Sequence, residues 1–280
     1  MPVLERDGLT FHYLDEGDYS GLPFVFQHGL GGDVCQPAGV FSPLPGIRLL
    51  SLDCRGHGRT YPLGGAQKLS FPSFADDVAA LMDHLGLERA AVGGISMGAG
   101  VALNLALRCP ERVAGLVLSR PAWLDSPRPE NLKAYPVIAR LLREHGTELG
   151  HELFGGTDEY AELERAAPGA GRSLASAQFG RPRAGEFAAV LESLVGDAPS
   201  RRAQWQEVRV PALVLASWQD PTHPHTYAEI LARELPSAEL AELTPKTEDE
   251  RRHAADAQAA IEGFLGRVFS LAAPEEATKR

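Results

Sequence analysis

Ser96 stands inside the run GGISMGAG (93–100), where Gly94-Ile95-Ser96-Met97-Gly98 fits the pattern G-x-S-x-G. An apolar run, RAAVGG, leads into it and an Ala/Leu-rich helical pattern, 97–108, follows. A serine on a strand-to-helix turn of this kind is suited to nucleophilic attack. The turn must be tight and strained for the hydroxyl to project above the sheet. Side chains at Gly94 and Gly98 would collide with neighbouring backbone there. The helix behind turns its positive N-terminal end toward developing negative charge. The competing reading is a Gly-rich turn with a bystander serine, and the strand-then-helix context favours the first. Serine attacks only when a partner takes its proton.

A second motif, HGLGG (28–32), directly follows the apolar run PFVFQ. A sharp Gly-rich turn can aim a backbone N–H at a substrate oxygen. The N–H groups of Leu30 and Met97 would together form an oxyanion hole. His28 is expected to tie the loop by hydrogen bonds, with substrate contact as its second reading. A third motif, SLDCRGHGRT (51–60), reads as a loop held by ion pairs and glycine turns, and only secondarily offers His57 as a base.

Several elements must position these residues. Seven short Val/Leu/Ile-rich runs read as strands: 9–15, 23–29, 47–53, 89–96, 113–119, 211–217 and 238–243. Helical patterns at 73–87, 97–108, 225–236 and 254–269 alternate with them. Strand–helix alternation implies an α/β class with a mostly parallel sheet covered by helices on both faces. From 121 to 207 the alternation breaks and only helical patterns appear, which predicts a helical cap over one end of the sheet. The core is then expected over 1–120 and 208–270, with a frayed tail over 271–280.

The three motifs, in this order and at these distances, resemble the α/β-hydrolase superfamily over roughly 9–269. The resemblance implies a sheet of about eight strands, a helical cap after the sixth, and a catalytic triad in the order Ser, Asp, His. Carried over, the nucleophile falls on Ser96. The acid falls on Asp220 in SWQDPTHP, after the strand PALVLAS. A turn former before proline is the alternative for Asp220. The family's other elbow residue, aspartate, belongs to its haloalkane dehalogenase and epoxide hydrolase branches, and Ser96 argues against both.

The base position is unusual. The family places a Gly-His just after the last strand, whereas LTPKTEDERRHA (243–254) offers Lys246-Thr247 there and its first histidine at His253. Three readings stay open. His253 reaches Ser96 through a rearranged loop, Lys246 acts as base, or no base exists. Glu248, Asp249 and Glu250 are expected to raise the Lys246 pKa, against its acting as a base. His223 and His225 lie in the acid loop, where closeness to Asp220 reads as loop packing or a rim contact with ligand. Trp123, Trp205 and Trp218 flank the cap junctions and could line a pocket, although aromatics there more often pack. Arg120 ends a buried strand, so it needs an acidic partner or an anionic ligand. It is expected to help bind an anionic or strongly polar substrate.

Composition narrows the classes. The chain has 280 residues, room for one large domain or a core with an inserted subdomain. A net charge of −10 argues against sequence-independent binding to nucleic acid. Three widely separated cysteines suggest reduced thiols and a cytoplasmic setting. No apolar stretch is long enough to span a membrane, and no metal or organic cofactor is implied. The leading expectation is a serine hydrolase acting on an ester, thioester or related acyl bond of a small molecule. The alternative is a non-hydrolytic protein of the same fold, a ligand binder or a lyase or cyclase that uses the oxyanion hole.

Overall fold

Apolar runs rich in Val, Leu, Ile and Phe build one eight-stranded sheet: β1 Val3–Arg6, β2 Leu9–Gly17, β3 Leu22–Gln27, β4 Ile47–Leu52, β5 Ala90–Ile95, β6 Val113–Ser119, β7 Ala212–Ser217 and β8 Ala238–Leu243. The computed structural model describes residues 1–269, so the tail expected over 271–280 lies outside the described residues. Strand order is β1-β2-β4-β3-β5-β6-β7-β8. The first two strands pair antiparallel, β2 with β1 and with β4, and the rest pair parallel. All seven runs expected as strands are strands. β1 was not legible, because VLER is short, half charged and without an apolar period. It is held by its hairpin partner β2 through the turn Asp7-Gly8, both residues at positive φ.

The helices are α1 Cys35–Ala38, α2 Phe71–His84, α3 Met97–Arg108, α4 Ala134–Phe154, α5 Asp158–Ala166, α6 Ala170–Phe179, α7 Ala184–Val195, α8 His225–Glu234 and α9 Glu250–Phe269. α2 starts two residues before its expected position because Ser70 caps it, accepting from the Ser73 N–H, with Pro72 in the first turn. α9 starts at Glu250 rather than 254, which puts His253 inside its first turn.

Both sheet faces are covered, as continuous apolar strands require. Phe24, Phe26, Val117 and Leu215 face Ala257, Ile261 and Phe264 of α9. Val25, Val92, Leu116 and Val214 face α2, α3 and α8, for example Phe74, Val101 and Leu231. The segment between β6 and β7 holds α4 to α7, and no strand among its described residues. α4 is broken at Gly146, whose φ of 74° and ψ of −163° are not helical. This insertion shares the core's apolar cluster through Phe187, Leu191 and Trp205. Burying a side chain as large as Phe187 contributes about 1.5–3 kcal/mol.

Candidate active site

The Ser96 turn has the expected crowding. Ser96 has φ 56° and ψ −109°, between the buried strand β5 and the first residue of α3. A Cβ at Gly94 would lie 2.2 Å from the Gly98 carbonyl carbon, and one at Gly98 would lie 2.5 Å from the Gln27 carbonyl oxygen. Only glycine fits either place. The Ser96 N–H donates to the Ser119 carbonyl at 2.9 Å, tying the turn to the end of β6. Ser96 keeps 9% of its surface exposed, while Met97 behind it is fully buried.

The N–H groups of Leu30 and Met97 meet no acceptor among the described residues. The loop carrying Leu30 is pinned on both sides. The Gly29 N–H donates to Gln36 Oε1 at 2.7 Å. His28 donates from Nδ1 to the Gly29 carbonyl at 2.9 Å and accepts at Nε2 from the Cys54 N–H at 3.1 Å. With both nitrogens engaged and 0% exposure, His28 is a loop tie and offers nothing to a substrate. This corrects its second expected role. Burial lowers its proton affinity, in keeping with the neutral tautomer.

The 51–60 loop is structural, as expected. Asp53 accepts from the Val34 and Arg59 N–H groups at 2.9 and 2.8 Å. Arg55 and Asp77 form a buried bidentate pair at 2.7 Å. His57 is fully enclosed, with its ring against His28 and Phe187 and Nδ1 bonded to the Arg55 carbonyl at 3.0 Å. Burial pushes its pKa well down.

A cavity of about 440 Å³ opens between the sheet and the inserted helices, lined by Leu30, Arg120, Gln178, Trp218, Asp220, His223 and Lys246 among others. Asp220 Oδ2 accepts from His223 Nδ1 at 2.8 Å and from Arg120 Nη1 at 3.2 Å. Burial raises the Asp220 pKa, but His223 and Arg120 outweigh it and hold the carboxyl well below the usual range. The acidic partner that Arg120 needed is therefore Asp220. Trp218 lines the cavity, is 51% exposed and stacks on His225 at 3.8 Å. Trp123 departs from expectation. It is 3% exposed, packs edge-on against Phe71 and does not line the cavity. Trp205 is likewise buried, bonding Ser200 Oγ at 2.8 Å.

The structure does not join His253 to Asp220. His253 donates from Nδ1 to the Thr244 carbonyl at 2.8 Å, on the buried side of α9 and off the cavity wall. The early start of α9 is the cause, since a helical first turn fixes the ring's direction. Lys246 lines the cavity instead, with no carboxylate within ion-pair distance among the described residues. Its pKa is lowered, first by desolvation and then by Arg120, against the weaker pull of Glu250. The expected upward shift fails because Glu248 and Asp249 turn elsewhere: Glu248 accepts from Gln219, and Asp249 accepts from the Arg252 N–H.

Two contributors were not legible in the sequence. Asn131 donates from Nδ2 to the carbonyls of Ala122 and Thr222, at 3.0 and 2.7 Å, and so clamps the acid loop. Arg181, between α6 and α7, reaches the Gly31 carbonyl at 2.6 Å. A lone Asn or Arg in a helical segment carries no pattern that marks such a reach. Among the described residues no cluster of three or more His, Cys, Asp or Glu is placed to hold a metal, and no helix is long and apolar enough to cross a membrane.

The model of the alpha/beta hydrolase fold family matches residues 23–246. The chain belongs to the alpha/beta hydrolase fold family. Among curated family relatives, it is similar to a Bacillus subtilis (strain 168) protein provisionally named as a 2-succinyl-6-hydroxy-2,4-cyclohexadiene-1-carboxylate synthase, at 28% identity over 87% of this chain and 89% of that one. It is also similar to the 2-hydroxymuconate semialdehyde hydrolase of Pseudomonas putida, at 29% identity over 85% of each. Among alpha/beta hydrolase structures, the enol-lactonase from Burkholderia xenovorans LB400 superposes with a TM-score of 0.72 and 26% identity, covering 94% of this chain and 99% of that one.

Proposed function

We propose that this chain is a cytoplasmic serine hydrolase that cleaves an ester, thioester or related acyl bond of a small polar or anionic molecule. The observation that carries this reading is the strained Ser96 turn, with the N–H groups of Leu30 and Met97 meeting no acceptor among the described residues. Ser96 Oγ attacks the acyl carbon. The two N–H groups stabilise the oxyanion, a contribution of about 3–4 kcal/mol per donor in serine hydrolysis. Asp220, held ionised, supports the group that takes the serine proton. Residues 121–207 act as the cap that closes the cavity. Lys246, with no carboxylate in ion-pair reach among the described residues, favours a substrate carrying negative charge. The hydrolase and enol-lactonase names of the relatives support acyl or related hydrolytic chemistry.

The test is intact-mass labelling with a fluorophosphonate, which bonds only to activated serines. One adduct on the wild type and none on Ser96→Ala is the expected result. An unlabelled wild type sinks the proposal. A second reading, a non-hydrolytic ligand binder or lyase, is favoured by Lys246-Thr247 standing where a Gly-His is expected, and by the synthase name of one relative. Ligand binding by an unlabelled wild type would establish it.

A further inference from the structure

We infer that His223 is the general base, working in a pair with Asp220 from within one loop, so that no histidine after β8 is needed. The inference rests on the serine-hydrolase reading above.

Three observations carry it. First, the pair has the orientation that base catalysis requires. An ionised carboxylate only accepts hydrogen bonds. The His223 Nδ1 at 2.8 Å from Asp220 Oδ2 therefore carries the proton, and the neutral ring has its lone pair on Nε2. Nε2 makes no hydrogen bond among the described residues, and the residue lines the same cavity as Leu30. Second, the loop is stiff. The His223 N–H bonds both the Asp220 carbonyl and Oδ1, each at 3.2 Å, and prolines stand at 221 and 224. Asn131 holds the intervening Thr222 carbonyl at 2.7 Å, and Arg120 holds Asp220 from the other side. Third, the end of β6 bridges the backbone of the Ser96 turn and the acid loop. Ser96 bonds Ser119, and the next residue, Arg120, bonds Asp220.

His253 lacks these features. A carbonyl, not a carboxylate, orients its ring, so an imidazolium there is favoured only by the Thr244 carbonyl and an unbonded Asp220. Desolvation, Arg120 and Lys246 all disfavour that charge.

As the Ser96 Oγ–C bond forms, the hydroxyl proton passes to His223 Nε2 and the carbonyl oxygen becomes the oxyanion. His223 then gives that proton to the leaving group as its bond to the acyl carbon breaks. Water attacks the acyl-serine, its proton goes to His223, and the Ser96 Oγ–C bond breaks as the proton returns to Oγ. Asp220 stays ionised and stabilises the imidazolium at each stage.

The experiment compares rate constants for fluorophosphonate labelling of Ser96 in the wild type, His223→Ala, His223→Gln and His253→Ala, with thermal melts to confirm folding. Gln keeps a donor toward Asp220 but cannot take a proton. Both His223 variants are expected to slow about 100- to 10,000-fold, the usual worth of a general base, and His253→Ala to stay within about threefold. His223→Gln at the wild-type rate would show a structural role and overturn the inference. So would a large loss in His253→Ala with His223→Gln unaffected. Either result leaves the hydrolase reading standing, since Ser96 is still labelled. An unlabelled wild type removes both.

Discussion

Arg181 Nη2 lies 2.6 Å from the carbonyl oxygen of Gly31, so a residue from the connection between α6 and α7 holds the loop that carries the Leu30 N–H. The guanidinium sits 3.4 Å over the Phe187 ring and also bonds Gln178 at 3.2 Å. No carboxylate pairs with it among the described residues, and burial pushes its pKa down to about 10. It stays charged at neutral pH and satisfies that charge through a carbonyl, an amide and a ring face.

Arg181→Ala should therefore loosen the loop. A hydrogen bond to a charged group contributes about 1.5–3 kcal/mol. The labelling rate of Ser96 is expected to fall about tenfold or more, with a lower melting temperature. Arg181→Lys should recover little, because a single ammonium cannot span Gly31, Gln178 and Phe187 together. Wild-type rates in Arg181→Ala would rule out the link.

The Arg55–Asp77 pair is a stability element. Both side chains are 2% exposed, and Arg55 also reaches Asp7 at 2.8 Å. Removing one partner takes away the buried bidentate contact and leaves Asp77 only Arg6 at 3.0 Å, or Arg55 only Asp7 at 2.8 Å, which costs about 3 kcal/mol. Arg55→Ala and Asp77→Ala should each lower the urea midpoint substantially. A change below about 1 kcal/mol in either variant would contradict the assignment.

The Ser96 turn is sterically closed. Gly98→Ala places a methyl group 2.5 Å from the Gln27 carbonyl oxygen, a contact that backbone must move to relieve. Overpacking of this kind costs about 1–3 kcal/mol. The larger effect should fall on chemistry, since the same movement displaces Ser96 and the Met97 N–H. Labelling should drop far more steeply than thermal stability, and proportionate loss of both would argue for simple unfolding.

Acid should unlock Asp220. Its folded-state pKa is depressed, so folding favours the ionised form. The contribution is fully present above the unfolded value of about 3.9 and is lost as pH falls below it through the lower folded value. Urea midpoints of the wild type and Asp220→Asn should differ by a constant amount from about pH 5 upward. The gap should close below about pH 4. A gap independent of pH down to about 2 would show that Asp220 is not stabilised as an anion.

Charge at the cavity mouth should select substrates. Lys246→Met is expected to raise KM for a carboxylate-bearing ester about tenfold, the value of one charged hydrogen bond. A neutral ester of the same size should be little affected. Arg120→Ala should instead slow turnover of both esters alike, because Arg120 holds Asp220 at 3.2 Å. Equal KM values for both esters in Lys246→Met would remove the anionic preference.

Local spacing was enough to read some of this protein from its sequence. The Ser96 turn, the 28–32 loop and the sheet strands each depend on contiguous residues: glycines that only a crowded turn requires, and apolar runs that only a doubly covered strand requires. The helical character of 121–207 was legible for the same reason, through helical periodicity. What the sequence left open depends on residues far apart in the chain. His28, Trp123 and Trp218 are alike as candidates until burial separates them, two enclosed and one on the cavity wall. The direction of the His253 ring was decided by where α9 begins, where Asp249 caps the helix by accepting from the Arg252 N–H while Ala257 and Ile261 pack against the sheet. The Lys246 pKa moved opposite to the charge count nearby in sequence, because desolvation by the folded loop outweighs acids that turn away. Asn131 lies 91 residues from Thr222, Arg120 100 from Asp220 and Arg181 150 from Gly31, and only the folded chain brings them together. Side-chain contact falls off within a few ångströms, so tertiary position, not residue type, settles which of several candidates can act.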